Sequence, residues 1–329
     1  MAHWRESESL SALAEGRESG PSRLSSLSYS AALHRLCLLT AAATFVLIIA
    51  GALVVGNEAG LAVPDWPLSF GTWMPPMVGG VFYEHGHRII ATAVGFLTSV
   101  LAAWLWRAEP RGWVRRLGWI TLAAVVFQGI LGGITVLYKL PTAVVVGHAC
   151  LAQFFFCLTL SLAVFTGRNW NQSAALLEDR QSPSFRQLTA ATSLALAVQL
   201  ALGAALRHNA LDVVLHLLGA SVAAILIGWV VLRAMTQLPE QKPLQRLAMI
   251  LGILLIVQLA LGGVSYFTRL AQNGSTDLDP VMIWTTTGHV AAGALLLGTS
   301  WVLTLLSFRR LAAPRVEVSL HQSAQKSPA

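Results

Sequence analysis

Eight apolar stretches, each long enough to cross a bilayer, alternate with short polar segments along the 329-residue chain. A helix spans the hydrocarbon core with about 20 apolar residues and satisfies its own backbone polar groups in lipid. No strand-like alternation of apolar and polar positions accompanies them. The pattern predicts an all-α polytopic membrane protein whose eight transmembrane helices cover about residues 36–56, 86–106, 116–137, 142–166, 187–206, 210–234, 246–267 and 281–307.

Composition and charge support this fold class. The chain is 55% hydrophobic and only 11% charged, whereas a soluble domain is about a quarter charged. Eighteen of the 22 Lys and Arg residues lie in the two terminal segments or in the connections after the second, fourth and sixth predicted helices. The positive-inside rule therefore predicts a multi-pass protein of the cell inner (plasma) membrane with both termini cytoplasmic. The net charge of +7 indicates attraction to anionic lipid, not nucleic-acid binding.

The chain contains an internal duplication. The segment Gln128–Gly133 (QGILGG) recurs as Gln258–Gly263 (QLALGG), 130 residues later. Since four helices return the chain to its starting side, we expect two parallel-repeat four-helix bundles, with the small residues serving close helix packing. The predicted organisation is a disordered cytoplasmic segment (1–30), an N-terminal four-helix unit (31–168), a cytoplasmic linker (169–186), a C-terminal four-helix unit (187–310) and a cytoplasmic tail (311–329).

Four histidines repeat with the same period, one near the outer end of each even-numbered helix. His87 and His216 are 129 residues apart, and His148 and His289 are 141 apart. An ionisable ring inside a membrane helix is costly and usually marks function, although any one of them alone would equally suit a core histidine bonded to a backbone carbonyl. Because two imidazoles from facing helices commonly grip a membrane heme, the set predicts two heme sites. We pair His87 with His148, and His216 with His289.

Two motifs near the first histidine carry a family resemblance. Tyr83–Arg88 (YEHGHR) contains Glu-x-x-His-Arg, and Pro64–Leu68 (PDWPL) lies upstream in the first external loop. With the two Gln-x-x-Leu-Gly-Gly helices and the four histidines, the chain resembles the heme A synthase family over about residues 36–307. Members of this family are oxidoreductases that convert the ring methyl of heme O to a formyl group, giving heme A for terminal oxidases.

The resemblance implies different roles for the two histidine pairs. His216 and His289 would bind a resident heme b, whereas His87 and His148 would hold the substrate or product heme. It also implies a heme O synthase and a respiratory electron acceptor as partners within the lipid bilayer, and it leaves a homo-oligomer open.

Glu84 is the candidate catalytic residue. It lies one turn before His87 and so shares its helix face. A carboxylate there would stabilise positive charge on an oxidised methyl carbon or position the attacking water; the alternative is an acid favoured by the dipole at a helix N-terminus. In the second unit Val213 stands three residues before His216, and Asp212 is the nearest acid.

External cations and further histidines complete the candidate set. Arg88 is assigned to the substrate-heme site, and all the external cations are candidate propionate partners or, equally, interface anchors: Arg88, Lys139, Arg207 and Arg269. His85 lies about 200° from His87 around a helix, so we expect it at the membrane interface. His208 is expected in a loop or against a propionate.

The sequence departs from the family in its cysteines. Many members carry a cysteine pair around the external-loop motif, but Val63 and Ser69 stand at those places here. Cys150 and Cys157 are about 10 Å apart along one predicted helix, too far for a disulfide. We therefore expect neither a thiol relay, nor a loop disulfide, nor a zinc site.

Two other classes of protein share part of this pattern. A di-heme electron-transfer protein of cytochrome b type would need the four histidines but not Glu84. A transporter built from parallel repeats would instead place its polar groups near the membrane midplane.

Overall fold

The computed structural model describes residues 30–171, 176–272 and 278–312. Eight helices in these ranges are long and apolar enough to cross a membrane, which confirms the predicted all-α multi-pass class. They are α1 (Ala31–Gly56), α2 (Gly80–Ala108), α3 (Gly112–Leu137), α4 (Thr142–Thr166), α5 (Phe185–Arg207), α6 (Val213–Gln237), α7 (Lys242–Ala271) and α8 (Pro280–Arg310). The predicted disordered segment, except Ser30, and the part of the predicted cytoplasmic tail beyond Ala312 lie outside the described residues.

Helix α2 begins well before its apolar run. The prediction placed its start near residue 86, but the helix starts at Gly80 and includes the whole polar motif. Hydropathy marks only the lipid-facing part of a helix, whereas the backbone bonds continue through the polar segment. Glu84 and Arg88, one turn apart, form an ion pair at 2.6 Å that suits a helical backbone. The motif residues are therefore held on a rigid helix.

The helices fall into two sets by their contacts. In the first set α1 contacts α2, α2 contacts α3, α3 contacts α4, and α4 contacts α1. Helices α5 to α8 close in the same order, and the sets meet where α8 packs on α1 and α4 and where α4 packs on α5. Each set has the neighbour relations of a four-helix bundle. A symmetry axis between the sets along the membrane normal stays a prediction.

Small hydroxyl side chains join helices across these interfaces. Ser193 Oγ on α5 lies 2.8 Å from Ser300 Oγ and 3.0 Å from Thr304 Oγ1, both on α8. Between α8 and α4, Trp301 Nε1 donates to Ser161 Oγ at 2.8 Å. Such residues allow close approach and add hydrogen bonds where lipid offers none.

The connection between the two sets is packed against the end of the chain. Leu177–Glu178 (β1) pairs in parallel with Leu311–Ala312 (β2). The buried Asp179 carboxylate accepts hydrogen bonds from the Phe185 amide and from Arg233, 3.2 Å away. The linker residues from Leu177 to Phe185 and the first two residues of the predicted tail thus pack together at this end of the protein.

Candidate functional site

Each of the four candidate histidines packs against a glycine of the preceding helix. A Cβ added to any of these glycines would come closer to the imidazole Cε1 than the 3.4 Å at which ordinary contact begins. We call these contacts the glycine–histidine cradles. They join Gly51 to His87 (3.2 Å), Gly132 to His148 (3.3 Å), Gly203 to His216 (3.0 Å) and Gly262 to His289 (2.9 Å).

A backbone carbonyl one turn before the cradle glycine faces the imidazole in three of the four cradles. His289 Nδ1 lies 3.1 Å from the Gln258 carbonyl oxygen. A ring that donates its Nδ1 proton to a carbonyl keeps Nε2 unprotonated, with its lone pair available to a metal. Two other buried Nδ1 atoms face a backbone carbonyl in the same way but do not complete a hydrogen bond. His87 Nδ1 faces the carbonyl of Leu47, and His148 Nδ1 faces the carbonyl of Gln128.

The spacing within each pair tests whether a heme fits. The His216 and His289 ring centroids are 6.3 Å apart. Two axial imidazoles on one iron would place their centroids about 6 Å apart, since a metal–imidazole bond is about 2 Å and the ring centre lies about 1 Å beyond the nitrogen. The spacing of the second pair therefore fits a bis-histidine heme site. The first pair has the same two ligands, and His87 and His148 lie in matching cradles.

Glutamines reinforce three of the cradles. In each case the glutamine lies four residues before the cradle glycine and reaches the histidine on the next helix. The sequence analysis found this segment in two helices and read its glycines as packing residues. It missed the copy in α5, Gln199–Gly203 (QLALG), although this is identical to Gln258–Gly262. The contacts join Gln128 Nε2 to the His148 carbonyl (3.0 Å), Gln199 Nε2 to the His216 carbonyl (2.9 Å) and Gln258 Nε2 to His289 Nε2 (3.3 Å).

Glu84 and Arg88 bind the first external loop to α2. Glu84 is only 4% exposed; its Oε1 accepts from Arg88 Nη2 at 2.6 Å, and its Oε2 accepts from the Val63 amide at 2.8 Å. Arg88 Nη1 donates to the carbonyls of Asp65 and Leu68, each at 2.8 Å. We call this arrangement the Glu84–Arg88 clamp. Since Glu84 lies beyond the first turn of α2, the helix-dipole explanation of this residue loses its basis.

The position of His85 inside the first external loop differs from the one expected. His85, expected at the membrane interface, is buried, and its Nδ1 lies 2.8 Å from Ser69 Oγ. The early start of α2 turns this ring toward the loop. Val63 and Ser69, which stand at the family's cysteine places, are both buried and contact Glu84 and His85 respectively. The positions are therefore part of the folded loop, and all three cysteines of the chain are free.

The loop also reaches the first histidine pair. The Trp66 ring packs on Gly133, where an added Cβ would lie 2.6 Å from Trp66 Cδ2. Gly133 adjoins Gly132, the cradle glycine of His148. Gly263, the counterpart of Gly133 in the second unit, has no atom within 4 Å of such a Cβ. Among the described residues, only the first pair is thus approached by a loop tryptophan in this way.

In the second unit the place of Glu84, three residues before the histidine, is taken by an apolar residue. Val213 begins α6 at the place three residues before His216. The nearest acid, Asp212, is the N-cap of that helix and accepts from the Val214 amide at 2.9 Å. The capping bond gives Asp212 a structural role, so the two pairs differ in the carboxylate beside them.

Three further predicted candidates lie together at the same end of the second unit. Arg269 donates to Asn209 Oδ1 at 3.2 Å, and Arg207 lies within electrostatic range of Arg269. Burial and the neighbouring Arg207 lower the pKa of His208. Lys139 follows α3 in the first unit, with a positive φ of 56°. Their contact with propionates stays a prediction.

The fold and the site define a multi-pass helical membrane protein with two inter-helix histidine pairs. One pair lies beside a clamped carboxylate and a covering loop. Known proteins with similar sequences show which family this arrangement resembles.

The cytochrome oxidase assembly protein family COX15-CtaA matches residues 79–213, which include the first histidine pair and the clamp. A heme A synthase of Symbiobacterium thermophilum is 28% identical over 291 residues, covering 84% of this chain and 89% of that relative. A heme A synthase of Geobacillus kaustophilus is 23% identical over 88% of this chain and 96% of its own length. A heme A synthase of Halalkalibacterium halodurans is 34% identical, but over only 38% of this chain and 41% of its own length. The chain is thus similar to heme A synthases over most of its length.

Proposed function

We propose that this protein is a heme A synthase, which oxidises the ring methyl of heme O to the formyl group of heme A. The observation that carries the proposal is the asymmetry between the histidine pairs. A buried carboxylate one turn from the histidine accompanies His87 but has no counterpart beside His216. A protein that only relays electrons between two hemes has no use for this difference, whereas an enzyme with one reactive and one resident heme requires it.

We assign the resident heme b to His216 and His289, and heme O to His87 and His148. The cradle contacts of the second pair are tighter, at 3.0 and 2.9 Å against 3.2 and 3.3 Å. His289 also completes its Nδ1 bond, whereas the Nδ1 atoms of the first pair have no partner. A resident cofactor favours the more restrained site, and a substrate that must leave favours the less restrained one. When bound, the heme b would supply one-electron redox chemistry to the enzyme.

The reaction assigns Glu84 a role in charge and proton handling. Oxidation of the methyl group removes electrons from its carbon and introduces an oxygen atom, so positive charge develops near the porphyrin edge. The carboxylate, oriented by Arg88 and by the Val63 amide, can stabilise that charge or accept a proton from the attacking water. An ionised carboxylate has about four acceptor sites, so its two bonds leave room for a water molecule.

The other residues of the loop would hold this carboxylate in place. Arg88 is bonded to Glu84 and to loop carbonyls, and its contact with a heme propionate remains part of the proposal. We place the protein in the cell inner membrane with both termini cytoplasmic, so that both histidine pairs face the extracytoplasmic side. A heme O synthase and a respiratory electron acceptor are the proposed partners, with or without self-association.

Heme analysis of the whole protein tests the proposal. The protein is expressed with a source of heme O, and the extracted hemes are separated by chromatography. Wild type should yield heme b together with heme A, whereas Glu84→Ala should retain heme b and form little or no heme A. The matched control is Asp212→Asn, which alters the carboxylate nearest the second pair but keeps the helix cap, because Asn caps as well as Asp. It should form heme A normally.

Two results would count against the proposal in different ways. Normal heme A formation by Glu84→Ala would leave Glu84 with a structural role only. Wild-type protein that binds two hemes but forms neither heme A nor a hydroxylated intermediate would favour the di-heme electron-transfer protein.

A further inference from the structure

The four cradles differ in one residue of the helix that carries the cradle glycine. The residue four before the cradle glycine is a glutamine in α3, α5 and α7, but it is Leu47 in α1. Leu47 has no side-chain donor, so the cradle of His87 alone lacks an amide that reaches across the helix pair.

In the second unit, glycines on the histidine-bearing helices leave space for the glutamine side chains. A Cβ on Gly219 would overlap the Gln199 side chain, and a Cβ on Gly293 would come within 3.2 Å of Gln258 Nε2. Both glycines lie about one turn beyond the histidine on its own helix, so the chain leaves space for each amide beside the histidine. Gln199 Nε2 lies 3.1 Å from His216 Nδ1 and donates to the His216 carbonyl at 2.9 Å, so it restrains both the ring and the backbone of this histidine, as outer-shell partners of metal ligands generally do.

His87 lacks this restraint. Its Nδ1 is buried and faces the Leu47 carbonyl without completing a bond. His148, the other member of the pair, has the same incomplete Nδ1 contact but is fixed through its backbone carbonyl by Gln128 at 3.0 Å. The two ligands of the proposed substrate site are therefore unequal.

We propose that Leu47 makes His87 the ligand that releases the substrate-site heme, while Gln128 and Gln199 act as positioning residues for His148 and His216. The inference rests on the proposed function, because it assigns the exchanging heme to the first pair. On release, the coordinate bond to the His87 imidazole opens, its electron pair stays on the nitrogen, and no redox change occurs. An enzyme whose product is itself a heme needs such a weak ligand, because two equally restrained histidines would oppose product release.

Heme transfer measures the order of ligand strength directly. Full-length protein in detergent is loaded with two equivalents of hemin and mixed with excess apomyoglobin, and heme loss is followed by absorbance. Wild type should show a fast phase from the first pair and a slow phase from the second. Leu47→Gln should slow only the fast phase, and Gln199→Leu should accelerate only the slow phase, each by about 10–100-fold, the usual effect of an outer-shell partner on metal affinity.

A matched control separates this effect from a general change of helix α1. Leu53→Gln makes the same exchange in the same helix, but about 240° around it from residue 47, and it should leave both phases unchanged. A second readout is the spin state of the bound heme, since loss of one axial histidine leaves a five-coordinate, high-spin heme. The high-spin fraction of the fast-phase heme should fall in Leu47→Gln and rise in Gln128→Leu.

The results discriminate between the inference and the function on which it rests. Unchanged phases and spin state in Leu47→Gln, or equal effects of Leu53→Gln, would overturn the inference. If Leu47→Gln does not fold, an unchanged spin state in Gln128→Leu would overturn it instead. A slowed fast phase in a protein that forms no heme A would support the ligand order and refute the synthase assignment. Heme A formation without any effect of Leu47→Gln would do the reverse.

Discussion

The substitution Gly262→Ala tests the cradle of the proposed resident heme. The added Cβ would lie 2.9 Å from His289 Cε1, whereas ordinary contact begins at 3.4 Å, so the ring must move by the difference of about half an ångström. His289 is also held by the Gln258 carbonyl at 3.1 Å, so the movement strains or breaks that bond. Metal-ligand geometry tolerates about 0.5 Å of displacement, which places this substitution at the limit for axial ligation.

The effects on folding and on heme binding should separate. Alanine in place of glycine in a helix favours the fold by about 1 kcal/mol, and the added methyl group costs about 1–3 kcal/mol through overpacking. The net change in the free energy of unfolding is therefore small, at most about 2 kcal/mol. Displacement of the ligand should nevertheless lower heme affinity by about 10–100-fold.

The adjacent glycine supplies the control. A Cβ on Gly263 would meet no atom within 4 Å, so Gly263→Ala should retain its heme. The measurements are heme b per polypeptide, from the pyridine hemochrome spectrum of purified protein, and helix content from far-ultraviolet circular dichroism. Full heme occupancy in Gly262→Ala, or equal losses in both variants, would refute the reasoning.

Three further predictions address the histidine pairs, the cysteines and the loop. Replacing His216 or His289 by alanine should remove heme b, while His87→Ala or His148→Ala should keep it; heme b lost only from the latter variants would reverse the assignment of the two units. Simultaneous replacement of Cys37, Cys150 and Cys157 by serine should preserve heme A formation in membranes at matched protein levels, because none of these free cysteines lies in the external loop; abolished turnover in a variant that still binds heme b would show that a thiol is essential. The Phe70 and Gly71 amides donate to Asp65 and lower its pKa, so its contribution to loop stability is present above about pH 4 and is lost as the pH falls through the lowered folded-state pKa. Hydrogen exchange in the loop should therefore increase at acid pH in wild type, whereas Asp65→Asn should remove that pH dependence; a variant with the same acid transition as wild type would assign the transition to another group.

The features that could be predicted from the sequence are those that depend on the order and spacing of residues along the chain. Hydropathy located all eight helices, and the 129-residue spacing of His87 and His216 led to the prediction of a duplication. The cradle partners of the histidines were missed, because Gly51 and His87 come together only when α1 and α2 pack. The start of α2 was missed because hydropathy does not count polar residues such as Glu84 as part of a transmembrane helix, although the helical backbone continues through them.

The function of the external loop was equally hidden from a linear reading. Arg88 was expected to face a heme propionate, and nothing in the motif indicated that its guanidinium bonds to loop carbonyls. The sequence analysis noted only that the family's two loop cysteines are missing from this chain, and it gave the residues at those positions no role. In the structure the Val63 backbone binds Glu84, so this position contributes to the clamp through an atom that every residue except proline possesses.

The two sets of four helices differ around their histidine pairs. Both have two cradle histidines and two cradle glycines, and these shared parts fit heme ligation. Three differences lie at the first pair: Leu47 stands where the other cradles have a glutamine, Glu84 stands where the second unit has Val213, and Trp66 packs on Gly133 whereas no described residue packs on Gly263 in this way. Weaker ligand restraint, a clamped carboxylate and a covering loop are each unnecessary for holding a permanent cofactor. Together they suit a site that must admit a heme, oxidise its edge and release it.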